Sequence, residues 1–360
     1  METLKAGLIG CGRMGAFTSE VLRKNAPAFW FPLSHLEALS NHSSISEIAV
    51  TDENKSNLDR AREVYDIKKY YLTTSQMLEE FKPDLLAIAT RTKGRADLIS
   101  KGIDSGSRAF HVEKPLCNSV KELAFIESKL KESNIFATYG AIRRFMPVYR
   151  NAVKFANSGQ YGKLIEVKIN FGSGMLFWTH PHAIDLILFA ASGDKVVGVQ
   201  ASLSGIVEGQ CSREILSDPI VISATIYFES GLVGCITQSH GSDMILTCEG
   251  AEIGVRADGH VTDIYVSPAG KRYPEFEPFS MDKERDILGG TYLPINQLVQ
   301  CLRGDLESIK SNLKNKNDML LGQKIIFAMA QSHLENSKII DLNSIDPQLQ
   351  IAAITNGKYA

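Results

Sequence analysis

The sequence predicts an α/β protein with two domains. The first, residues 1–118, is expected to be a doubly wound parallel sheet, because short apolar strands alternate with helices. The second, residues 119–360, is expected to be an α+β domain with a large, mainly antiparallel, open-faced sheet, because its strands alternate apolar and polar residues. A chain of 360 residues is long enough to build two such cores.

Composition and charge narrow the class of protein. Hydrophobic residues make up 44% of the chain, charged residues make up 22%, and the formal net charge at pH 7 is -2. Because basic residues are not in excess, we expect no nucleic-acid partner. No apolar run is long enough to span a bilayer and no signal-peptide pattern is present, so we expect no membrane partner and a cytoplasmic location.

The cysteines and histidines indicate no metal site. The cysteines are far apart and form no C-x-x-C pair, which is typical of buried, reduced thiols. They are Cys11, Cys117, Cys211, Cys235, Cys248 and Cys301. The pair His180 and His182 has no carboxylate or thiol close by in the sequence, so we expect no bound metal there either.

A glycine-rich turn follows the first apolar strand. Gly10, Gly12 and Gly15 have the spacing G-x-G-x-x-G, with Arg13 and Met14 before the last glycine. The first glycine permits a tight turn, the second lets backbone approach a pyrophosphate, and the third lets a helix pack on the sheet. The turn therefore predicts a dinucleotide site of the Rossmann type, although the same spacing also occurs in ordinary tight turns. A helix is predicted over residues 16–24.

The second strand, 45–51, ends at Asp52. A carboxylate at this strand tip can accept hydrogen bonds from both ribose hydroxyls of NAD and repel the extra phosphate of NADP, so NAD is favoured over NADP. A turn-starting Asp is the alternative. Residues 25–34 form an aromatic, proline-containing insertion before a helix over 34–41, and either a packing flap or a lid would explain it.

Helices and strands then alternate to the expected domain boundary. They are helix 55–65, helix 75–81, strand 83–90, helix 96–105 and strand 108–112. Thr90 ends one strand, and Glu113 and Lys114 follow the other, at the edge where doubly wound sheets bind ligands. An ammonium at Lys114 would stabilise an alkoxide developing on a substrate hydroxyl, and burial would lower its pKa. A solvated lysine paired with Glu113 is the alternative.

The order of these motifs resembles the glucose-fructose oxidoreductase and inositol dehydrogenase (Gfo/Idh/MocA) family. The residues that carry the resemblance are Gly10, Gly12, Gly15, Asp52, Ala89-Thr90, Glu113-Lys114-Pro115, Tyr139-Gly140, Arg144-Phe145 and Pro147. The resemblance extends from residue 5 to about residue 335. It implies an NAD(P)-dependent oxidoreductase with cofactor contacts from Thr90, Glu113 and Lys114, and with Lys114 as a catalytic residue.

The segment around His182 also resembles the family. His182-Ala183-Ile184-Asp185 is similar to its H-x-x-D segment, which implies that His182 is the second acid–base residue and that Asp185 orients a helix. The chain departs from the family at Trp178, where an Asp is often found. With no carboxylate there, His180 would contribute to the proton relay, or Trp178 would form a wall of the substrate site.

Several cations follow the strand ends near the expected cofactor. Arg91, Lys93 and Arg95 come after Thr90, and Arg143 and Arg144 come after the strand over 135–139. Guanidinium groups pair with carboxylate or phosphate, so we hypothesise an anionic sugar substrate, namely a sugar acid, a sugar phosphate or a nucleotide sugar. The alternative is that these cations contact the cofactor pyrophosphate or lie in solvent.

The rest of the chain is predicted to build the second domain. Its elements are helix 120–132, strand 135–139, helix 148–158, strands 164–171, 196–204, 220–228, 231–239, 244–249, 252–256 and 260–267, helix 291–302, a charged loop over 303–317 and helix 319–335. Arg285 and Tyr292 are further candidates to line the substrate site. By analogy with the family, the open face of the sheet would pair subunits into a homodimer or homotetramer.

The leading hypothesis is an NAD(P)-dependent sugar dehydrogenase or reductase in which Lys114 and His182 transfer the proton. One alternative is a redox-neutral lyase or epimerase that retains NAD. Another is a non-catalytic, NAD-binding regulator, because a fold does not determine a function.

Overall fold

The computed structural model describes residues 3–353 except 133, 208, 210–212, 269 and 279–287. Six parallel strands form the first sheet, in the order β3-β2-β1-β4-β5-β6. These strands are β1 (Leu4–Ile9), β2 (Ile45–Thr51), β3 (Lys69–Tyr71), β4 (Leu85–Ile88), β5 (Ala109–Val112) and β6 (Phe136–Tyr139). The helices along this part of the chain are α1 (Glu20–Asn25), α2 (His35–Ser40), α3 (Lys55–Tyr65), α4 (Thr74–Glu80), α5 (Arg95–Asp104) and α6 (Val120–Glu132).

The first sheet is covered on both faces, as its continuous apolar strands predict. Every residue of β4 and β5 is buried. The chain reverses its direction of winding at β1, which pairs with both β2 and β4, and this switch point is where doubly wound sheets bind ligands. Because β6 pairs with β5, the sheet continues beyond the boundary expected at residue 118.

The helix predicted over residues 16–24 is interrupted. Only Glu20–Asn25 is helical there, and none of its residues is buried. The chain leaves the sheet after Gly15 and returns at His35, whose amide donates to Met14 O at 2.9 Å, while the amide of Leu36 donates to Gly15 O at 2.7 Å. The buried face of α2 therefore packs where the first crossover helix would begin, and residues 17–34 are an insertion into it.

The second sheet has eight strands in the order β15-β14-β13-β12-β7-β11-β10-β8. Its strands are β7 (Leu164–Asn170), β8 (Val196–Ser204), β10 (Ile220–Phe228), β11 (Val233–Thr237), β12 (Asp243–Cys248), β13 (Ala251–Arg256), β14 (Val261–Val266) and β15 (Glu275–Pro278), while β9 (Glu214–Ile215) pairs with β16 (Gln350–Ile351). Only the β7–β11 pair is parallel among the described pairings of this sheet, so the predicted fold class is confirmed. The remaining helices are α7 (Pro147–Ala156), α8 (His180–Ala191), α9 (Tyr292–Leu302) and α10 (Leu306–Leu334).

The prediction of a loop over residues 303–317 is wrong, because α10 begins at Leu306. Its first half is held by polar contacts and carries little apolar periodicity. The buried amide of Asn312 accepts from Ala137 N at 3.2 Å and donates to Ala137 O at 2.9 Å, so it pairs with the main chain of β6 as a neighbouring strand would. Since α10 also packs on β8, one helix joins the two sheets.

Three further findings concern membrane-spanning helices, the cysteines and Arg285. No described helix has both the length and the apolar character needed to cross a membrane. The five cysteines in the described part of the chain are free thiols, and Cys211 lies outside it. Arg285, a candidate for the substrate site, also lies outside the described residues.

Replacing Asn312 should destabilise the protein. The variant Asn312→Ala leaves the buried N–H and C=O of Ala137 without partners, which should lower the free energy of unfolding by about 3 kcal/mol. Urea denaturation followed by circular dichroism measures this change. Lys310→Ala, an exposed substitution on the same helix, is the control and should change the free energy of unfolding by less than about 0.5 kcal/mol. Equal stability of the two variants would contradict the proposed role of Asn312.

Candidate active site

The glycine turn has one side open for a ligand. Gly10 has φ = 95°, and a Cβ on it would lie 2.8 Å from Ala89 O. A Cβ on Gly15 would collide with Gly10 O, whereas a Cβ on Gly12 would meet no atom within 4 Å. Gly10 and Gly15 are therefore required by the fold, and Gly12 leaves space for the backbone approach that a pyrophosphate needs.

Asp52 lies beside this turn at the tip of β2. One of its carboxylate oxygens accepts from Cys11 N at 2.6 Å and the other accepts from Asn54 N at 2.7 Å. Each oxygen can accept a second hydrogen bond, so a ribose diol can still be bound. Burial, followed by the charge of Asp52, raises the pKa of the Cys11 thiol to about 12, which keeps this thiol protonated.

A buried guanidinium holds the loop that carries Lys114. Arg95 is 1% exposed, and its Nη1 donates to Glu113 O at 2.7 Å and also to Pro115 O, while its Nη2 donates to Thr90 O. The expectation that Arg95 binds substrate is therefore wrong, because both of its Nη atoms donate to main-chain carbonyls and its Nε is buried. The same loop is held from α10, where Gln323 Oε1 accepts from Leu116 N at 2.8 Å.

Glu113 also faces inward. Its carboxylate lies 3.1 Å from His35 Nε2 and accepts from Lys114 N at 3.1 Å. Burial alone would raise the pKa of Glu113, but His35, Lys114 and Arg95 outweigh it and lower the pKa to about 2. The carboxylate is thus an anion that supports the loop from beneath, which differs from the expected contact with the cofactor.

The Lys114 amine lies where the two domains meet. Its Nζ donates to Trp178 O at 2.8 Å and lies 3.7 Å from the centre of the Trp178 ring. Burial is the main cause that lowers the pKa of Lys114 to about 8; Arg95 and Arg143 act in the same direction, and Glu113 and Asp218 oppose them. At neutral pH the amine therefore remains mostly protonated but can lose its proton readily.

His182 stands in the first turn of α8, two residues beyond the helix start. Burial, followed by the charges of Arg143 and Lys114, lowers the pKa of His182 well below its usual range, so its imidazole is neutral at neutral pH. Its Nδ1 is buried and makes no hydrogen bond with any described residue. His182 therefore lies close enough to Lys114 for the charge of the lysine to act on it.

His180 lies inside the fold. It is fully buried, its Nε2 lies 3.1 Å from Gly174 O, and burial lowers its pKa to about 4. This position does not support the substrate contact and the contribution to the proton relay that were expected of His180. A neutral ring held inside the turn before α8 instead positions that turn.

Arg144 is another residue whose predicted role is wrong. It is 4% exposed, its Nε donates to Asp185 Oδ2 at 2.8 Å, and its Nη1 donates to Asp318 Oδ2 at 2.9 Å. Two carboxylates neutralise it, so no donor faces a substrate anion. Arg144 instead ties α8 to α10, and Asp185 orients α8 as its partner.

Arg143 lies on the other side of the same turn. Its Nε and Nη2 donate to the two oxygens of Asp258 at 2.7 and 2.8 Å. Its guanidinium lies 4.6 Å from the centre of the Trp30 ring and 4.8 Å from the centre of the Phe171 ring. Trp30 belongs to the insertion of residues 17–34, so this insertion reaches the second domain.

The other predicted cations remain near the sheet edge. Arg91 and Lys93 are exposed directly after β4, and neither pairs with an acidic group among the described residues. The Arg13 guanidinium lies 5.5 Å from the centre of the Trp178 ring. Thr90 lies next to Gly10, and Met14 O accepts the amide of His35, so both take part in the glycine turn.

Asp218 is a residue near Lys114 that no sequence pattern predicts. It lies between β9 and β10, and its carboxylate accepts from Phe177 N at 2.8 Å and from Trp178 N at 3.1 Å. In the sequence it reads as an ordinary turn residue before Pro219. No local signal distinguishes it, because its partners are main-chain amides 40 and 41 residues away.

Comparison with known proteins accounts for this arrangement. Residues 4–140 match the model of the GFO_IDH_MocA oxidoreductase family, NAD-binding Rossmann fold. Through these residues, which include the glycine turn and the first sheet, the chain is similar to the NAD-binding domain of that family. It is also 24% identical over 280 residues to scyllo-inositol 2-dehydrogenase (NAD(+)) of Bacillus subtilis, covering 72% of this chain and 76% of that protein.

Solved structures share the fold of this chain. The WlbA dehydrogenase of Chromobacterium violaceum, solved with NADH and UDP-GlcNAcA, has a TM-score of 0.71 and 15% identity, with 95% of this chain and 96% of that chain covered. An oxidoreductase of Agrobacterium radiobacter, solved with NAD+, L-tartaric acid and magnesium, has a TM-score of 0.69 and 15% identity, with coverages of 96% and 100%. Among the described residues of the present chain, no cluster of three or more His, Cys, Asp or Glu side chains is arranged to hold a metal ion.

The described residues fit NAD, the cofactor that the sequence predicts and that the match to an NAD-binding family model supports. The open side of Gly12 and the carboxylate of Asp52 lie at the same edge of the sheet, at its switch point. Gly12 would admit the pyrophosphate, and Asp52 would bind the adenosine ribose.

Neutralising Asp52 should weaken the binding of NADH and reduce discrimination against NADPH. The variant Asp52→Asn removes a charged acceptor, so we expect about tenfold weaker binding of NADH, while binding of NADPH changes little or improves. Titration followed by the fluorescence of the reduced nicotinamide measures both affinities without any substrate. Asp59→Asn, on an exposed face of α3, is the control. Unchanged NADH affinity in Asp52→Asn would contradict the role of Asp52.

Proposed function

We propose that this protein is an NAD-dependent dehydrogenase acting on a secondary hydroxyl, or the corresponding ketone, of a sugar or cyclitol. The contact of Lys114 Nζ with Trp178 O carries the proposal, because it joins the end of β5 to the turn that leads into the helix of His182. An ammonium and a neutral imidazole at the edge of the sheet, close enough for the charge of Lys114 to act on His182, support this chemistry. The name of the Bacillus subtilis relative, an NAD-dependent inositol dehydrogenase, supports this class of substrate.

His182 and Lys114 have separate roles at the carbinol. A bound nicotinamide would supply the hydride chemistry at the carbinol carbon. The neutral imidazole of His182 accepts the hydroxyl proton, and the ammonium of Lys114 stabilises the negative charge that develops on the oxygen. Trp178 forms one wall of the cleft, since its ring lies against the Lys114 amine.

The finer part of the proposal is that the substrate is anionic. Fewer cations support an anionic substrate than the sequence alone suggests, because Arg95 and Arg144 donate to groups inside the fold. The cations that remain are Arg13, Arg91 and Lys93, none of which pairs with an acidic side chain among the described residues. A sugar acid, sugar phosphate or nucleotide sugar would pair with them, and two proteins of the same fold were solved with the anions UDP-GlcNAcA and L-tartaric acid.

The open face of the second sheet supports a homo-oligomer, as a further part of the proposal. Along the central strands, half-buried side chains alternate with buried ones. They include Glu166 and Lys168 of β7, Thr225 and Tyr227 of β10, and Val233 and Cys235 of β11. A second copy of this chain, forming a homodimer or homotetramer, would cover this mixed surface.

A substrate panel tests the activity. We expect NADH to form with NAD and a sugar substrate, and anionic sugars such as uronic acids, sugar phosphates and UDP-sugars to have a higher kcat/KM than neutral inositols. The variant Lys114→Met should lower kcat by about a hundredfold or more, because it removes the cation beside the reacting oxygen. Lys101→Met, exposed at the end of α5, is the control. Efficient use of a neutral polyol alone would overturn the anionic part, and product formation without net NADH would indicate the redox-neutral class.

The pH dependence of kcat/KM tests the roles of Lys114 and His182. Because the pKa of Lys114 is lowered to about 8, its ammonium is lost as the pH rises through 8, and kcat/KM should fall above that value. His182, with its lowered pKa, stays neutral throughout the neutral range and should add no acidic limb there. Initial rates over the neutral to alkaline range measure this profile. A kcat/KM that instead rises through pH 8 would show that the neutral amine of Lys114 is the active form.

A further inference from the structure

Asp218 is joined to Lys114 through the main chain of a single residue, Trp178. The carboxylate of Asp218 accepts from Phe177 N and Trp178 N, and the carbonyl of the same Trp178 accepts from Lys114 Nζ at 2.8 Å. The loop of Asp218 is also paired with residues 174–176, since Leu176 N donates to Pro219 O at 2.8 Å and Val221 N donates to Gly174 O at 3.0 Å. The position of the Trp178 carbonyl therefore depends on this loop.

Asp218 also carries a charge close to the Lys114 amine. Four other titratable groups face this amine from the elements around it. They are Glu113 at the end of β5, Arg95 of α5, Arg143 after β6 and His182 of α8. Glu113 is already used by His35 and by the amide of Lys114. Asp218 is thus the second of two carboxylates that oppose the two guanidinium groups, and it comes from the substrate domain.

We propose that Asp218 is a positioning residue that sets both the place and the protonation state of the Lys114 amine. This inference rests on the proposed function, in which Lys114 contacts the reacting oxygen. Asp218 acts through the two amides that fix the Trp178 carbonyl, and through its negative charge, which favours the ammonium form of Lys114. It takes no part in the proton transfer itself.

The electrostatics of the cleft agree with this geometry. Asp218 raises the pKa of Lys114 against the stronger effect of burial, and burial in turn raises the pKa of Asp218 to about 6. Asp218 is therefore ionised at neutral pH. Removing its charge leaves Arg95 and Arg143 opposed by Glu113 alone, so the ammonium of Lys114 becomes less favourable.

The first test is the reactivity of the Lys114 amine, which needs neither substrate nor turnover. The protein is acetylated with N-hydroxysuccinimidyl acetate at a series of pH values, and peptide mass spectrometry gives the rate at Lys114, with the exposed Lys101 as an internal reference. In Asp218→Asn the half-point of reaction at Lys114 should move down by about one pH unit relative to the wild type. Asp218→Glu, which keeps the charge, should restore most of this shift.

The second test is the pH profile of kcat/KM. Its alkaline limb should move down with the half-point of acetylation in Asp218→Asn, while the affinity for NADH stays as in the wild type. Glu229→Gln, which neutralises an exposed carboxylate of the same domain, is the control and should leave both curves unchanged. Matching NADH affinity and matching thermal unfolding would show that Asp218→Asn is folded.

The outcomes separate this inference from the proposed function. If acetylation of Lys114 follows the same pH curve in Asp218→Asn and the wild type, Asp218 does not set the protonation state and the inference is overturned. If the curve shifts but Lys114→Met retains full activity, the link between Asp218 and Lys114 stands and the catalytic role of Lys114 fails. If Asp218→Glu shifts the curve as far as Asp218→Asn, charge is not the cause and the inference is overturned as well.

Discussion

The position of Lys114 depends on a buried guanidinium. Arg95 donates to carbonyls at the ends of two neighbouring strands, Thr90 after β4 and Glu113 and Pro115 after β5, so it fixes the edge of the sheet at which the cofactor motifs lie. Burial lowers the pKa of Arg95, because a dry interior disfavours the cation, while the charge of Glu113 opposes this effect. This cost is offset by main-chain acceptors that water cannot reach. The loop of Lys114 is thus held by a buried residue whose Nη atoms donate to the main chain.

The same edge is then joined to the second domain by separate polar contacts. Gln323 of α10 binds the amide of Leu116, Arg144 ties α8 to α10, and the Trp178 carbonyl binds Lys114. Each contact joins a loop or helix end to an element distant in sequence. Because buried polar groups are directional, these contacts determine how the domains face each other more strictly than apolar packing alone would. Lys114 and Trp178 therefore make contact only when both domains are folded.

Much of the fold could be predicted from periodicity, whereas the partners of charged residues could not. Strands such as 196–204 and 220–228 match the structure because alternation depends on each residue's own polarity. The start of α10 was missed because its buried face carries Asn312 and Asp318, which read as polar. Arg95 and Arg144 were assigned to a ligand for the same reason: an arginine near a strand end does not reveal whether its acceptor is a carbonyl, a carboxylate or a substrate.

Part of the negative charge near Lys114 comes from Asp218, a residue in a loop distant in sequence. Trp178 stands where the resemblance leads one to expect a carboxylate, and its ring and its main-chain carbonyl both contact the Lys114 amine. A carboxylate from the loop before β10 accepts from the amides of Phe177 and Trp178. A negative charge therefore lies near the amine although position 178 itself carries a ring. Since the ring, the carbonyl and one of these amides belong to the same residue, substituting Trp178 should alter the reactivity of Lys114.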